Sequence, residues 1–343
     1  MNPLYNKSHL SPRLGHMAQL ASIRRLVSDD GKGRGMRVLE INNGSGLSFT
    51  VHPDRGMDIG QAYYKGTPLA WVSRNTEVSP QFYDADGCEW LRTWGGGLLT
   101  GCGLTNVGGP NSAPDGTHGL HGRLSHLPSE EVNTKADWTD DGTYQLSVTG
   151  RVRQSKVFGE NLLLSRQITT SLGDASITVR DTVQNQGFAP SPLMLLYHVN
   201  LGWPLVDEGA TLEAPPHEVT PQNAHAAAGL ADWPHISAPI PGFGEQVYYH
   251  ALPPEDAQGL ASVRLVNPRL GLAFKVSYRT AELPYLIQWK MMGQGEYVVG
   301  LEPANCYPEG QDKIARRGLL RHLAPGETSE MLVKLSVEEV PQQ

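Results

Sequence analysis

Residues 161–184 read Asn161-Leu-Leu-Leu-Ser-Arg-Gln-Ile-Thr-Thr-Ser-Leu-Gly-Asp-Ala-Ser-Ile-Thr-Val-Arg-Asp-Thr-Val-Gln184. Two segments of strand character, 161–170 and 175–184, bracket Ser171-Leu-Gly-Asp174, which has the composition of a tight turn, so the stretch reads as a β-hairpin. Working outward, segments of the same kind recur at 19–27, 36–42, 47–52, 58–64, 69–73 and 144–152. They continue at 191–198, 263–266, 272–277, 285–291, 296–302 and 329–337. Helical periodicity is scarce, and its best instance, 221–230, is short. Regular short strands separated by turns predict a sandwich or barrel. The 38 glycines and 25 prolines agree, because such breakers favour strands and structured loops over long helices.

No Ser/Gly/Pro linker divides the chain and no repeat of fixed period runs through it. The expectation is an all-β fold, a large single-domain β-sandwich spanning 1–343, with 1–46 as N-terminal strands and extension. Two long irregular regions, 82–128 and 202–246, are rich in aromatic residues, glycine and histidine and are expected to wall a binding cleft. A formal charge of −7 and the lack of a dense basic run argue against nucleic acid as a partner. No apolar stretch approaches the roughly 18 residues needed to span a membrane. The N-terminus lacks the profile of a signal peptide. Three cysteines (Cys88, Cys102, Cys306) without a CxxC point to a cytoplasmic protein with free thiols.

Three segments hold residues suited to chemistry. In Glu296-Tyr-Val-Val-Gly-Leu-Glu-Pro303, Glu302 continues the strand face of Val298 and Gly300, and a proline halts the strand behind it. Desolvation there lifts a carboxyl pKa toward the range of a general base; a rim glutamate paired with an arginine is the plainer alternative. In Ser191-Pro-Leu-Met-Leu-Leu-Tyr-His-Val-Asn200, His198 shares a face with Met194 and Leu196. A histidine satisfied in the core is the plainer alternative, but Asn200 and Trp203 nearby supply the amide and flat ring that a sugar site uses. In Gly116-Thr-His-Gly-Leu-His-Gly-Arg123, glycines would let the backbone approach a ligand beside His118 and His121. As metal ligands this pair lacks a third partner in sequence, so no metal is expected. Asp54-Arg-Gly-Met-Asp58 reads as an internal salt bridge at a turn. The run 95–103 has neither Gly-Lys-Ser/Thr nor a following helix, which rejects a phosphate loop. Glu245 and His250 stand at the end of the second long region.

Taken in order, Leu120-His121-Gly122, Tyr197-His198-Val199-Asn200-Leu201 and Leu301-Glu302-Pro303-Ala304-Asn305 resemble the motifs of the galactose mutarotase-like (aldose 1-epimerase) superfamily. The strand 176–184 ending in Asn185 and the closing Leu323-Ala-Pro-Gly-Glu327 fit the same pattern, so the resemblance runs from about Leu47 onward, to a bacterial branch of the superfamily. It implies a supersandwich fold and a small-molecule carbohydrate as partner, with no metal and no cofactor, and leaves a homodimer open. It further implies Glu302 as base, His198 as acid and His121 as a residue gripping the sugar. Asn200 and Asn305 belong to the matched motifs and are expected at the substrate. The superfamily's sugar-binding arginine ahead of the Leu-His-Gly motif is absent, with Arg123 or Arg55 as its replacement, and Glu245 stands in for a substrate-gripping aspartate. The implied activity is that of an aldose 1-epimerase. The alternatives are another sugar isomerase or epimerase, metal-assisted through His118 and His121 included, and a non-catalytic carbohydrate-binding protein on the same scaffold.

Overall fold

The hairpin at 161–184 forms as its sequence predicts. In a computed structural model describing residues 5–342, Asn161–Ser171 and Ser176–Asn185 pair antiparallel, Leu162 opposite Asn185 and Thr169 opposite Thr178. Leu162, Leu164, Ile168, Ile177, Val179 and Val183 point to one side and are buried together. This hairpin is the middle of a sheet that has eight strands among the described residues. Their order is Thr211–Glu213, Leu260–Asn267, Leu272–Arg279, Thr328–Glu339, Ser176–Asn185, Asn161–Ser171, Tyr144–Ser155 and Ser129–Trp138.

A second, larger sheet counts eleven strands among the described residues. It runs Ser22–Val27, Arg37–Asn42, Leu47–His52, Asp58–Tyr64, Leu99–Leu104, Met194–Leu201, Tyr297–Ala304, Tyr285–Met292, Gln246–Ala251 and Glu218–Pro221, with Thr67–Pro68 added beside Asp58–Tyr64. Apolar side chains from both sheets, among them Val51, Ile59, Leu195, Val199 and Leu301 from the larger and Val148, Val263 and Val333 from the smaller, make one continuous core. The protein is thus an all-β sandwich, as its strand pattern predicts.

The structure departs from the predicted strand pattern near the conserved-looking motifs and at the short helix. The first irregular region contains a central strand of the large sheet, Leu99–Leu104, buried at all six positions. Its glycines disguise it in sequence, because glycine weakens strand propensity. They are needed there: a Cβ on Gly103 would stand 2.3 Å from the carbonyl oxygen of Met194 on the next strand. Pro303 does not end its strand, which continues to Ala304. Helix forms only over Ala224–Ala228 of the anticipated 221–230, since Glu218–Pro221 is the edge strand of the large sheet.

Between the sheets lies a buried ion pair that sequence reading did not single out. Arg166 Nε and Nη2 donate to Asp181 at 2.9 and 2.7 Å, and Nη1 donates to the Gly56 carbonyl at 3.1 Å. Tyr197 Oη, from the opposite sheet, donates to the same Asp181 oxygen at 2.7 Å. Burial works against the Arg166 charge, and Asp181 more than offsets it, so the guanidinium is held charged. Arg166→Met would strand the Asp181 carboxylate and is expected to cost about 3–5 kcal/mol in urea unfolding. Tyr197→Phe is expected to cost about 1–3 kcal/mol. An Arg166→Met loss below about 1 kcal/mol would show that the pair does not tie the sheets together.

Candidate active site

On Met194–Leu201, Leu195, Tyr197, Val199 and Leu201 face the intersheet core, while Met194 and Leu196 join a second cluster on the outer face of the large sheet. His198 and Asn200 follow Met194 and Leu196 by alternation. On Tyr297–Ala304, Val299 and Leu301 face inward and Val298 and Ala304 outward, so Glu302 points outward too. The antiparallel register pairs Leu196 with Ala304 and Val199 with Leu301. His198 therefore lies directly across from Glu302, and Tyr197 across from Pro303, which has no N–H to give the ladder. His198 Nε2 stands 3.1 Å from Glu302 Oε1.

Around this pair is a wall of aromatic rings. Trp94 and Trp289 meet the His198 ring edge to face, at 5.1 and 5.4 Å between centroids. His121 approaches at 5.8 Å and is itself 5.1 Å from Trp90. Trp71 completes the cluster against Trp94 and Trp289. His198 and Glu302 are only 4% and 2% exposed. Three buried polar atoms beneath the rings lack any hydrogen-bond partner: His198 Nδ1, Glu302 Oε1 and Asn200 Oδ1.

The Leu120-His121-Gly122 motif needs its glycine. His121 has a left-handed backbone (φ 56°), and a Cβ on Gly122 (φ 72°) would meet the Gly103 and Asn106 carbonyl oxygens at 2.5 and 2.6 Å. His121 Nδ1 accepts from the Gly108 N–H at 3.4 Å, which leaves the ring proton on Nε2. Gly300 was not singled out by sequence reading, although it stands two residues before Glu302 on the same face. A Cβ there would come within 2.5 Å of Glu302 Oε1 and 3.3 Å of His198 Cε1. The tryptophans were also missed, because their convergence from distant segments leaves no local signal.

The other expected site residues divide. Glu245 reaches the site, accepting from Trp289 Nε1 at 2.8 Å. Asn200 lies in it, with Nδ2 on the Gly97 and His198 carbonyls. Asn305 does not serve a ligand: its Oδ1 accepts from Leu195 N–H at 2.7 Å and its Nδ2 donates to the Leu193 carbonyl at 2.9 Å, stapling two strands. Arg55 is buried elsewhere, donating to the Val78 carbonyl and His126 beside Asp58. Its neighbour Asp54 pairs with Arg37, while within the 54–58 turn Arg55 and Asp58 attract each other through charge without a direct ion-pair contact. Arg123 is exposed, and its charge acts on the Tyr83 hydroxyl rather than on the His198–Glu302 pair. Neither arginine replaces the missing guanidinium. Trp203 is exposed and stands outside the aromatic cluster. His118 bonds Asp115 at 2.9 Å and does not join His121 as a metal pair. Among the described residues no three His, Cys, Asp or Glu side chains converge as a metal site.

Electrostatics reverses one expectation. Burial pushes the Glu302 carboxyl well above the usual carboxylate range, with Glu245 adding to it. Burial, then His121, pulls His198 down to about 3, against Asn200, and burial pulls His121 to about 4. The unliganded pair thus favours a protonated Glu302 and a neutral His198, not the carboxylate and imidazolium expected from sequence. At 3.1 Å the two groups are close enough that their titrations belong to the pair.

The all-β sandwich has the fold of the galactose mutarotase-like proteins, and its structural neighbours are of that kind. The chain belongs to the family described as "Domain of unknown function (DUF4432)", which matches residues 33–337. It is similar to a candidate aldose 1-epimerase from Klebsiella pneumoniae subsp. pneumoniae MGH 78578 (TM-score 0.87, 24% identity, covering 94% of this chain and 86% of that one). It also resembles a galactose mutarotase-like protein from Clostridium acetobutylicum (TM-score 0.65, 14% identity, 94% and 100% covered). A galactose 1-epimerase from Lactobacillus acidophilus NCFM is a further neighbour (TM-score 0.57, 12% identity, 93% and 99% covered). No curated protein matches the chain. No helix among the described residues is long and apolar enough to cross a membrane.

The raised Glu302 pKa has a measurable consequence. A carboxyl whose folded pKa exceeds its unfolded value contributes stability that is complete at low pH and is lost as pH rises through the folded value. His198, depressed, contributes the opposite slope, complete above about pH 6.5 and lost as pH falls. Glu302→Gln should therefore raise Tm relative to the parent by a margin that grows from pH 5 to pH 8. A margin independent of pH would mean that Glu302 ionises normally.

Proposed function

We propose that this protein interconverts the anomers of an aldose or a close derivative, with Glu302 and His198 exchanging protons with the substrate. The observation behind this reading is the 3.1 Å His198–Glu302 contact with unpartnered polar atoms on both residues, enclosed by indole rings. Indole faces suit the apolar C–H faces of a sugar, and the unpartnered atoms suit its hydroxyls.

The chemistry follows from a pair that holds one proton. One member takes the proton of the anomeric hydroxyl while the other gives its proton to the ring oxygen. The bond from C1 to the ring oxygen breaks and the aldehyde forms. Rotation about C1–C2 presents the other face, and reclosure runs the two transfers backwards. After opening, the proton has moved from one member to the other; after closing, it has returned. No net proton is gained or lost, so one shared proton is both necessary and sufficient. Glu302 as base with His198 as acid is the assignment that the sequence resemblance implies. The opposite starting tautomer, which burial favours without ligand, performs the same cycle. In this reading the unpartnered Asn200 Oδ1 and the His121 Nε2–H would bond hydroxyls, and Glu245, bonded to Trp289 Nε1, would hold that ring.

Glu302→Gln is expected to slow anomer equilibration, followed by polarimetry, at least about 100-fold while sugar affinity stays within a few-fold. Unchanged rates would overturn the reading. Gly300→Ala, which drives a methyl group against the Glu302 carboxylate, is expected to lower kcat at least about tenfold with the fold intact by circular dichroism. Parent-like kcat in that variant would show that the site tolerates a displaced carboxylate.

A further inference from the structure

His250, Gln288 and Lys290 point to the face of the large sheet shared with Leu286 and Met292, opposite to the aromatic site. That face is covered by the second long irregular region. Lys290 Nζ donates to the Asp232 and His235 carbonyls, each at 2.7 Å, and Gln288 Nε2 donates to the Trp233 carbonyl at 2.8 Å. His217, just before the edge strand, meets His250 with Nε2 to Nδ1 at 2.8 Å.

The protons along this chain of contacts can be counted. His217 Nδ1 lies 2.6 Å from the Pro215 carbonyl oxygen, which only accepts, so Nδ1 holds a proton. His250 Nε2 lies 3.1 Å from Gln288 Oε1, whose identity is set by the amide nitrogen donating to Trp233 at the other end. His250 Nε2 therefore holds a proton as well. Between the rings two nitrogens face each other at 2.8 Å, which requires one proton more. Two neutral imidazoles bring two protons to three contacts.

We infer that His217 and His250 share an extra proton as an imidazole–imidazolium pair, and that this proton fastens the chain entering the edge strand Glu218–Pro221 to the strand Gln246–Ala251. The Trp233 ring stands 4.9 Å from His250 and 5.7 Å from His217, close enough to favour a cation. Glu218 beside His217, Tyr248 on the strand of His250, Lys290 on the adjoining strand, and Asp232 and His235 in the covering turn are the charged and titratable groups on the elements packed about the pair, and among the described residues no carboxylate bonds either ring. Burial, followed by the neighbouring ring, acts to hold His250 down at about 3. The contacts act the other way, since withdrawing the proton sets two acceptors against each other at one of the three. A proton retained above the ordinary histidine value makes this fastening complete below about pH 6.5 and loosens it as pH rises through the pair's own value.

The test uses the full chain labelled with 15N. Long-range nitrogen–proton correlation spectra at pH 7 should show protons on three of the four ring nitrogens of His217 and His250. On raising the pH, one proton should leave in a single step, and amide protection over residues 217–220 should fall at least tenfold in the same step. His217→Gln should abolish that pH-dependent step. Two singly protonated rings from pH 5 to pH 8, or protection that does not follow the titration, would overturn the inference. A transition metal bound between the two nitrogens in the purified protein would overturn it equally.

Discussion

The buried contact of Arg166 with Asp181 is the constraint on which the candidate site depends. Tyr197 crosses the interior to reach Asp181, and neighbouring strand residues face opposite ways, so fixing Tyr197 inward fixes His198 outward. The register of Met194–Leu201 with Tyr297–Ala304 then sets Glu302 across from His198. A buried ion pair is a weak source of net stability, because apolar side chains of similar size often do as well. Its effect here is on register. A slip by one residue would turn His198 into the core and Tyr197 out of it, leaving Arg166 and Asp181 without their third partner.

From that placement the proton chemistry arises by desolvation. A carboxyl and an imidazole, each closed off from water, both favour their neutral forms, and these differ in proton content by one. At 3.1 Å the two groups feel each other's charge, although Glu302 Oε1 makes no aligned hydrogen bond to the ring. The surrounding indoles supply no competing charge. Glu245 adds a negative charge at the margin that favours the proton on Glu302. The same carboxylate fixes the Trp289 indole through its N–H. Glu245 therefore bears on both the protonation and the wall of the site, although it is itself exposed.

How much of this was legible in the sequence depends on the range of the interactions. Strands with their own alternation were readable: 47–52 and 58–64 are found with those bounds, and the 161–184 hairpin to within one residue at each end. Leu99–Leu104 was not, because what makes it a strand is the close passage of its neighbours over glycine, a tertiary fact. Glu302, His198 and His121 were readable from motif and order. The roles expected of Arg55, Arg123 and Asn305 were not resolvable, because a polar side chain beside a motif can bond backbone or ligand alike. Asn305 illustrates this: it stands close behind the Glu302 motif, yet both ends of its amide are taken by the strand Met194–Leu201 and its approach. Nothing local in sequence distinguishes it from Asn200, whose Oδ1 is left open.

That open oxygen bears on why the site exists in this form. Elsewhere the fold gives its buried cations partners: Lys290 finds two carbonyls, and Arg166 finds a carboxylate and a carbonyl. Yet three of the seven unpartnered buried side-chain atoms among the described residues, on His198, Asn200 and Glu302, belong to one patch. Each such atom costs about 1–3 kcal/mol. Together they are a substantial part of the roughly 5–15 kcal/mol by which a folded domain exceeds its unfolded chain. A protein able to satisfy Lys290 could have satisfied these, so their concentration beneath the indoles is a deficit that a ligand can fill. A ligand rich in hydroxyls, which both donate and accept, would complete all three atoms without bringing charge into a site that has no free cation to receive it. That match between the deficit and an uncharged polyol supports a sugar as occupant independently of any resemblance in sequence or fold.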